Sequence, residues 1–360
     1  ALSSAASDVY KRQLMQKVSF GTTKQGAQAT LYILENKNHT TIKVTDYGAT
    51  LVAFLFKDKA GIERDVVLGY DNVEGYQENS CYFGATVGRN GNRIANAQFV
   101  IDTKTWQLED NDNGNNLHSG KNGFSRVMWE VKNVTDNSIT LSHFSTREEQ
   151  GFPGNLTAEV TYLLKDDDTL EISYTGQADA DTVMNFTNHS YFNLGGHDSG
   201  SMEAQELQIL AECYTPMNAN NIPTGEIASV EGTPMDFRVS KPIGRDINAE
   251  FEQIKFGGGF DHNYVLSDKP DEMKVIANAY CKETGIALET ATDCCGVQLY
   301  TGNFIGIQQG KDGAEYGDRH GFCLETQFYP NAVNQKNFPS PIVKAGEIYQ
   351  SKTTYRLYLK

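Results

Sequence analysis

The chain has 360 residues, 39% of them hydrophobic, with 33 glycines and well-spread aromatics, which suits a globular protein with a substantial core. No apolar stretch approaches the length of a membrane-spanning helix. A formal charge of −15, from 31 basic and 46 acidic side chains, excludes the basic footprint that nucleic acids and anionic membranes require, disfavours phosphorylated substrates, and predicts a soluble protein.

In chain order, residues 1–16 come first. They lack the apolar core of a signal peptide and match nothing that follows, so this extension is expected to be disordered or an adapter artefact, and the fold reading starts at residue 17. Short runs with period-two alternation then recur at Thr30 to Glu35, Thr41 to Thr45 and Ser138 to Phe144. The clearest is Leu156 to Leu164, where Leu156, Ala158, Val160, Tyr162 and Leu164 share a face. After the polar turn Lys165-Asp-Asp-Asp168, Thr169 to Tyr174 returns as the second arm of a β-hairpin. Further runs follow at Ala204 to Leu210 and Thr353 to Leu359, while Ala249 to Lys255 is the one segment that reads as a helical turn or two. Many short strands without helical periods between them predict an all-β protein, a large antiparallel sandwich or barrel. No linker, charge block or repeat divides residues 17–360, which are expected to form one domain.

Six cysteines (Cys81, Cys213, Cys281, Cys294, Cys295 and Cys323) lack paired CxxC spacing, and Cys294 and Cys295 are adjacent, a poor geometry for a disulfide between them. They read as free thiols in a reducing compartment, the cytoplasm. Formal glycosylation sequons at Asn38, Asn133, Asn155, Asn185 and Asn188 are short patterns that recur by chance and carry less weight.

The most informative segment is Gly321-Phe-Cys-Leu-Glu-Thr-Gln-Phe-Tyr-Pro330. In a strand, Phe322, Leu324, Thr326 and Phe328 share a core face, and Cys323, Glu325, Gln327 and Tyr329 share the other. A carboxylate in such a run is a candidate general base, its pKa raised by desolvation and lowered by a neighbouring cation. His189, in Asn185-Phe-Thr-Asn-His-Ser-Tyr-Phe-Asn-Leu194, is either a satisfied core histidine or part of a surface where amides, hydroxyls and rings meet a sugar. His118 sits in a loop rich in Gly and Asn, and on that segment alone it reads as a surface residue before a presented one. Asp261 follows three glycines and either caps its own turn or approaches a ligand, with His262 pointing the other way. Arg93 offers a planar fork, although a surface Arg is the default reading, and His39, His143, His197 and His320 read as surface. Walker, GxGxxG, HExxH and GxSxG patterns are missing, and the spacing of His118, His189 and Glu325 gives a metal no specific support.

Asp46-Tyr-Gly-Ala-Thr-Leu51, Asp65-Val-Val-Leu-Gly-Tyr70, Gly91-Asn-Arg-Ile94, Asn115-Asn-Leu-His118, Asn188-His-Ser-Tyr-Phe-Asn-Leu194, Gly259-Phe-Asp-His-Asn-Tyr264, Gly296-Val-Gln-Leu-Tyr-Thr-Gly-Asn303 and Leu324-Glu-Thr-Gln327 occur in that order. Together they resemble the aldose 1-epimerase family from about Val18 to the C-terminus. The resemblance implies a single large antiparallel β-sandwich, the galactose mutarotase-like supersandwich, and an isomerase that interconverts α and β anomers of free hexoses such as galactose and glucose. It also implies Glu325 as general base, His189 as general acid, His118 assisting at the anomeric end, and Asn92, Arg93, Asp261 and Gln298 binding sugar hydroxyls. Neither cofactor nor metal is implied, and the assembly expected is a monomer or weak homodimer. Ser119, where the family has a small Gly, and Arg89-Asn-Gly91, where an aromatic is common, leave sugar preference open. A hexose 6-phosphate epimerase and a non-catalytic sugar-binding protein of the same fold are the alternatives; the former requires cations at the cleft, with Arg93 and Arg89 the nearest.

Overall fold

A computed structural model describes residues 17–360 apart from residues 79, 148 and 271; the expected N-terminal extension lies outside the described residues. The largest sheet has nine antiparallel strands in the spatial order Glu130–Val134, Ser138–Ser145, Leu156–Leu164, Thr169–Ala178, Ile348–Leu359, Ile286–Thr292, Lys274–Tyr280, Glu206–Ile209 and Lys241–Pro242. The C-terminal strand thus runs through the middle of the sheet, paired with Thr169–Ala178 on one side and Ile286–Thr292 on the other. A five-stranded sheet forms from the N-terminal strands Lys17–Thr22, Gln28–Glu35, Thr41–Thr45, Thr50–Lys57 and Glu63–Asp65. A second five-stranded sheet, Ala228–Ser229, Cys213–Tyr214, Asp261–Val265, Gly296–Tyr300 and Cys323–Gln327, carries the acidic strand singled out above. This is the antiparallel β-sandwich that the alternating runs predict.

The predicted hairpin is present, Leu156 pairing with Ala178 and Leu164 with Leu170. Its turn is held from outside: Asp168 lies in the left-handed region at φ 65°, and the Asn36 amide donates to the Lys165 carbonyl and to Asp168 Oδ1. Leu156, Ala158, Val160, Tyr162 and Leu164 are all fully buried, and with Leu170, Ile172 and Tyr174 they build the main core. That burial removes apolar surface worth about 25 cal/mol per Å² from water.

Two strand boundaries differ from expectation. The final strand starts at Ile348 rather than Thr353, because its buried face includes Ser351, which breaks the apolar alternation but accepts the Tyr349 hydroxyl at 3.0 Å. Ala204 to Leu210 shrinks to Glu206–Ile209. Two short helices occur among the described residues, Val73–Glu78 and Glu252–Gly257. The first was not anticipated; the second ends on Gly258 at φ 65°, a left-handed position that suits glycine. No helix among the described residues is long and apolar enough to cross a membrane.

Three of the four histidines expected at the surface are not exposed. His197 is buried, its Nδ1 hydrogen-bonded with the Tyr316 hydroxyl at 2.9 Å. His143 is half-buried against Trp129 and Phe124 and pairs with Glu149 at 3.2 Å. His320 is also half-buried, and His39 alone stays exposed. His197 owes its burial to a partner distant in sequence, and His143 to ring packing that no local pattern announces.

Candidate functional site

Three strands build a polar floor. Pairing places Asn263 beside Gln298 and Gln298 beside Glu325, while Asp261 pairs with Tyr300 and Tyr300 with Cys323. Because side chains alternate, Asp261, Asn263, Gln298, Tyr300, Cys323, Glu325 and Gln327 share one face, and His262 turns to the other, against Tyr214. Gln298 Nε2 donates to Asp261 Oδ1 at 2.7 Å, and Gln327 Nε2 donates to Gln298 Oε1 at 3.3 Å and to Asn263 Oδ1 at 3.4 Å. A carboxylate only accepts, so Asp261 sets the orientation of the whole amide chain. The strand Cys323–Gln327 is buried on both faces, Leu324 and Thr326 toward the core and Glu325 at 2% exposure toward the floor.

His189 follows the short strand Thr187–Asn188, and its backbone is pinned between Ala85 and Gly84 at 3.0 Å each. Its ring stacks against Tyr191 and Tyr82 at centroid distances of 5.2 and 5.8 Å, and meets His118 edge-on at 5.2 Å. Nε2 is 3.5 Å from Glu325 Oε2, and Nδ1 is 3.6 Å from Cys323 Sγ.

His118 is buried, contrary to the surface reading of its loop. The asparagines responsible for that reading are what permit burial: Asn111 bonds the Leu117 N–H and carbonyl, and Asn116 Nδ2 bonds the Glu109 carbonyl, so the backbone needs no water. At φ 51° the His118 backbone turns the ring inward, where Nδ1 accepts the Asn92 N–H at 3.1 Å. The Asn92 side-chain oxygen caps the Arg93 N–H at 2.8 Å. Arg93 is not a surface residue either; it donates to Asp112 Oδ2 at 2.7 Å and lies 3.8 Å from Asp261 Oδ2, tying the loop to the floor. All seven residues proposed from sequence therefore converge on one place.

Burial governs the electrostatics. Desolvation pushes Glu325 well above the usual carboxylate range, with the Asp261 charge adding to the rise and Arg93 opposing it. It pushes His189 down to about 4. His118 is driven well below 6.5 by burial first, then by His189 and Arg93. Asp261 is raised by burial, against Arg93 and Gln298. At neutral pH both histidines are neutral, so a protonated His189 needs stabilisation that a bound polar ligand must supply.

His118, His189 and Glu325 offer ligand atoms within 4.8 Å of one another, a set whose chemistry could hold a divalent cation. The hydrogen bonding argues for a different use. Metal-bound histidines donate their remaining ring N–H, whereas His118 Nδ1 accepts one from Asn92, which leaves the proton on Nε2, the nitrogen free for a ligand. A neutral N–H donor suits an oxygen of an organic substrate.

The family described as Aldose 1-epimerase matches residues 30–356. The galactose mutarotase of Bos taurus is 40% identical over 338 residues, 94% of this chain and 96% of its own length. The chain belongs to the aldose 1-epimerase family. The aldose 1-epimerase of Escherichia coli (strain K12) is 36% identical over 328 residues, covering 91% of this chain and 94% of the relative. Among solved structures, an aldose epimerase homologue from C. elegans superposes with a TM-score of 0.84 at 28% identity, covering 91% of this chain and 98% of that one. A galactose 1-epimerase from Lactobacillus acidophilus NCFM gives 0.82 at 26% identity, covering 95% and 98%.

As a member of the aldose 1-epimerase family, the protein is an isomerase. The residues that support the seven are Tyr82, Cys323, Gln327 and Asn263, of which sequence reasoning missed Tyr82 and Asn263. Gln327 and Cys323 were legible as floor positions from their alternation with Glu325. Tyr82 gave no signal, since its ring reaches the histidines only because its backbone is left-handed at φ 61°. Arg89, considered as a second cation near the cleft, is instead wholly buried, with its guanidinium on Ser145, Thr146 and Pro153.

Proposed function

We propose that this epimerase opens and recloses the pyranose ring of free hexoses, galactose and glucose among them, with Glu325 and His189 exchanging protons with the sugar. The observation that carries the reading is the 3.5 Å approach of His189 Nε2 to Glu325 Oε2 above a floor of amides and a carboxylate. Glu325 takes the proton of the anomeric O1 hydroxyl while His189 gives one to the ring O5, and the C1–O5 bond opens to an aldehyde. Rotation about C1–C2 presents the other carbonyl face. Reclosure returns both protons, with Glu325 now the acid and His189 the base. The pair is thus an ion pair with the closed sugar and a neutral pair with the open one, so burial favours the open-chain partner. Hydrogen bonds from O1 and to O5 offset the cost of the charged form.

His118 donates from Nε2 to a sugar oxygen, and Asn92, Arg93, Asp261 and Gln298 hold the remaining hydroxyls. Arg93 is already paired with two carboxylates and Arg89 is buried, which favours a neutral sugar over a hexose 6-phosphate. The six free thiols of the described residues fit a reducing, cytoplasmic setting, and a site whose seven residues all come from one chain fits a monomer or weak homodimer. Polarimetry on fresh α-D-galactose tests the assignment: Glu325→Gln keeps shape and loses the base, so its rate should fall by about 10²–10⁴. Near-normal mutarotation in that variant removes Glu325 from the chemistry.

A further inference from the structure

We propose that Cys323 is a positioning residue whose sulfur accepts the Nδ1 proton of His189 throughout the reaction, holding the tautomer that frees Nε2 to exchange protons with the sugar. The inference rests on the assignment of His189 as acid given above. Its starting point is geometric. Cys323 and Glu325 are two residues apart on one face of one strand, and each meets a different nitrogen of the same imidazole, Sγ to Nδ1 at 3.6 Å and Oε2 to Nε2 at 3.5 Å. The rings of Tyr82 and Tyr191 stack against His189, and the strand's two contacts fix its in-plane orientation.

The proton count then decides the tautomer. When His189 gives its Nε2 proton to O5, the neutral imidazole must keep the other proton on Nδ1, and that N–H is buried and needs an acceptor. The groups facing His189 are Tyr82, His118, Tyr191, Tyr300, Cys323 and Glu325, and among them the thiol sulfur is the atom at Nδ1. Burial beside Glu325 and Asp261 keeps Cys323 a neutral thiol. A neutral sulfur is a weak acceptor. It orients the ring without the strong stabilisation of imidazolium that a carboxylate would supply, which leaves His189 a ready acid.

Two measurements test this. In protein labelled with ¹⁵N-histidine, long-range ¹H–¹⁵N correlation, with His189→Asn to identify the signal, should show the His189 proton on Nδ1 at pH 7. A proton on Nε2 overturns the proposal. In mutarotation assays, Cys323→Ala should lower kcat by about 10- to 100-fold, part of the ~10²–10⁴ that general acid–base catalysis supplies, with little change in KM. Its acid limb should also move to lower pH, since imidazolium loses an acceptor, while Cys323→Ser, which keeps one, should restore most of the rate and the wild-type limb. Wild-type kcat and pH profile in Cys323→Ala overturn the role of Cys323. His189→Asn in the same assay reads the underlying assignment separately: a normal rate there removes His189 as the acid, whatever Cys323 does.

Discussion

Asn92 and His118 clamp one another: the Asn92 N–H donates to His118 Nδ1 at 3.1 Å, and the His118 N–H donates back to the Asn92 carbonyl at 3.1 Å. Both residues lie at positive φ, 63° and 51°. Protonating His118 would set an N–H against the N–H of Asn92, so this histidine works as a neutral donor and not as an acid. His118→Asn is therefore expected to slow mutarotation less than His189→Asn and to leave the pH limbs in place. Parallel pH–rate profiles of the two variants check it; a limb that vanishes with His118 would give His118 the titrating role.

The pH profile itself follows from the site's burial. Catalysis needs one proton on the Glu325–His189 pair. A second proton, on His189 beside protonated Glu325, stops it, and with His189 pushed down to about 4 the acid limb of kcat/KM should fall near pH 4. The alkaline limb marks loss of the shared proton and should lie well above the usual carboxylate range, because Glu325 is raised. An acid limb at pH 6.5 would mean that His189 titrates as in water.

Stability has the matching signature. A buried His189 depressed from 6.5 to about 4 stabilises the fold above pH 6.5, and that stability is lost as pH falls toward 4, with a slope of up to about 1.4 kcal/mol per unit. Glu325, raised from 4.5, contributes stability that is complete below pH 4.5 and declines as pH rises through its folded pKa. Glu325→Gln removes the second dependence, so its Tm should gain on wild type between pH 5 and 8 while matching it more closely near pH 4. A constant difference in Tm across that range would show that Glu325 ionises in the folded protein as it does in the unfolded chain.

How much of this was open to sequence reading depends on where the information lay. The alternation in Leu156–Leu164 belongs to a strand with a purely apolar buried face, and it announces itself. Glu325 stood out for the opposite reason, a carboxylate within an apolar run. The loop around His118 misled because its asparagines read as solvent-seeking, whereas here they satisfy the backbone that folds inward. His197 was hidden likewise, its partner Tyr316 being 119 residues away. What local pattern cannot carry is a partner supplied by another strand, and the support of this site is of that kind.

Asp261 offers the sharpest test of the floor. Its carboxylate accepts from Gln298 Nε2 at 2.7 Å, faces Arg93 at 3.8 Å and raises the pKa of Glu325 by its charge. Asp261→Asn keeps the shape and removes that charge, so two independent changes are expected. Hydrogen bonds to a charged group are worth about 1.5–3 kcal/mol, and losing one to a sugar hydroxyl should raise KM by roughly 10- to 100-fold. The alkaline limb of the profile should move to lower pH, because Glu325 ionises more easily without a neighbouring anion. A raised KM with an unmoved limb would separate the two roles, leaving Asp261 to bind the sugar while some other group sets the Glu325 pKa.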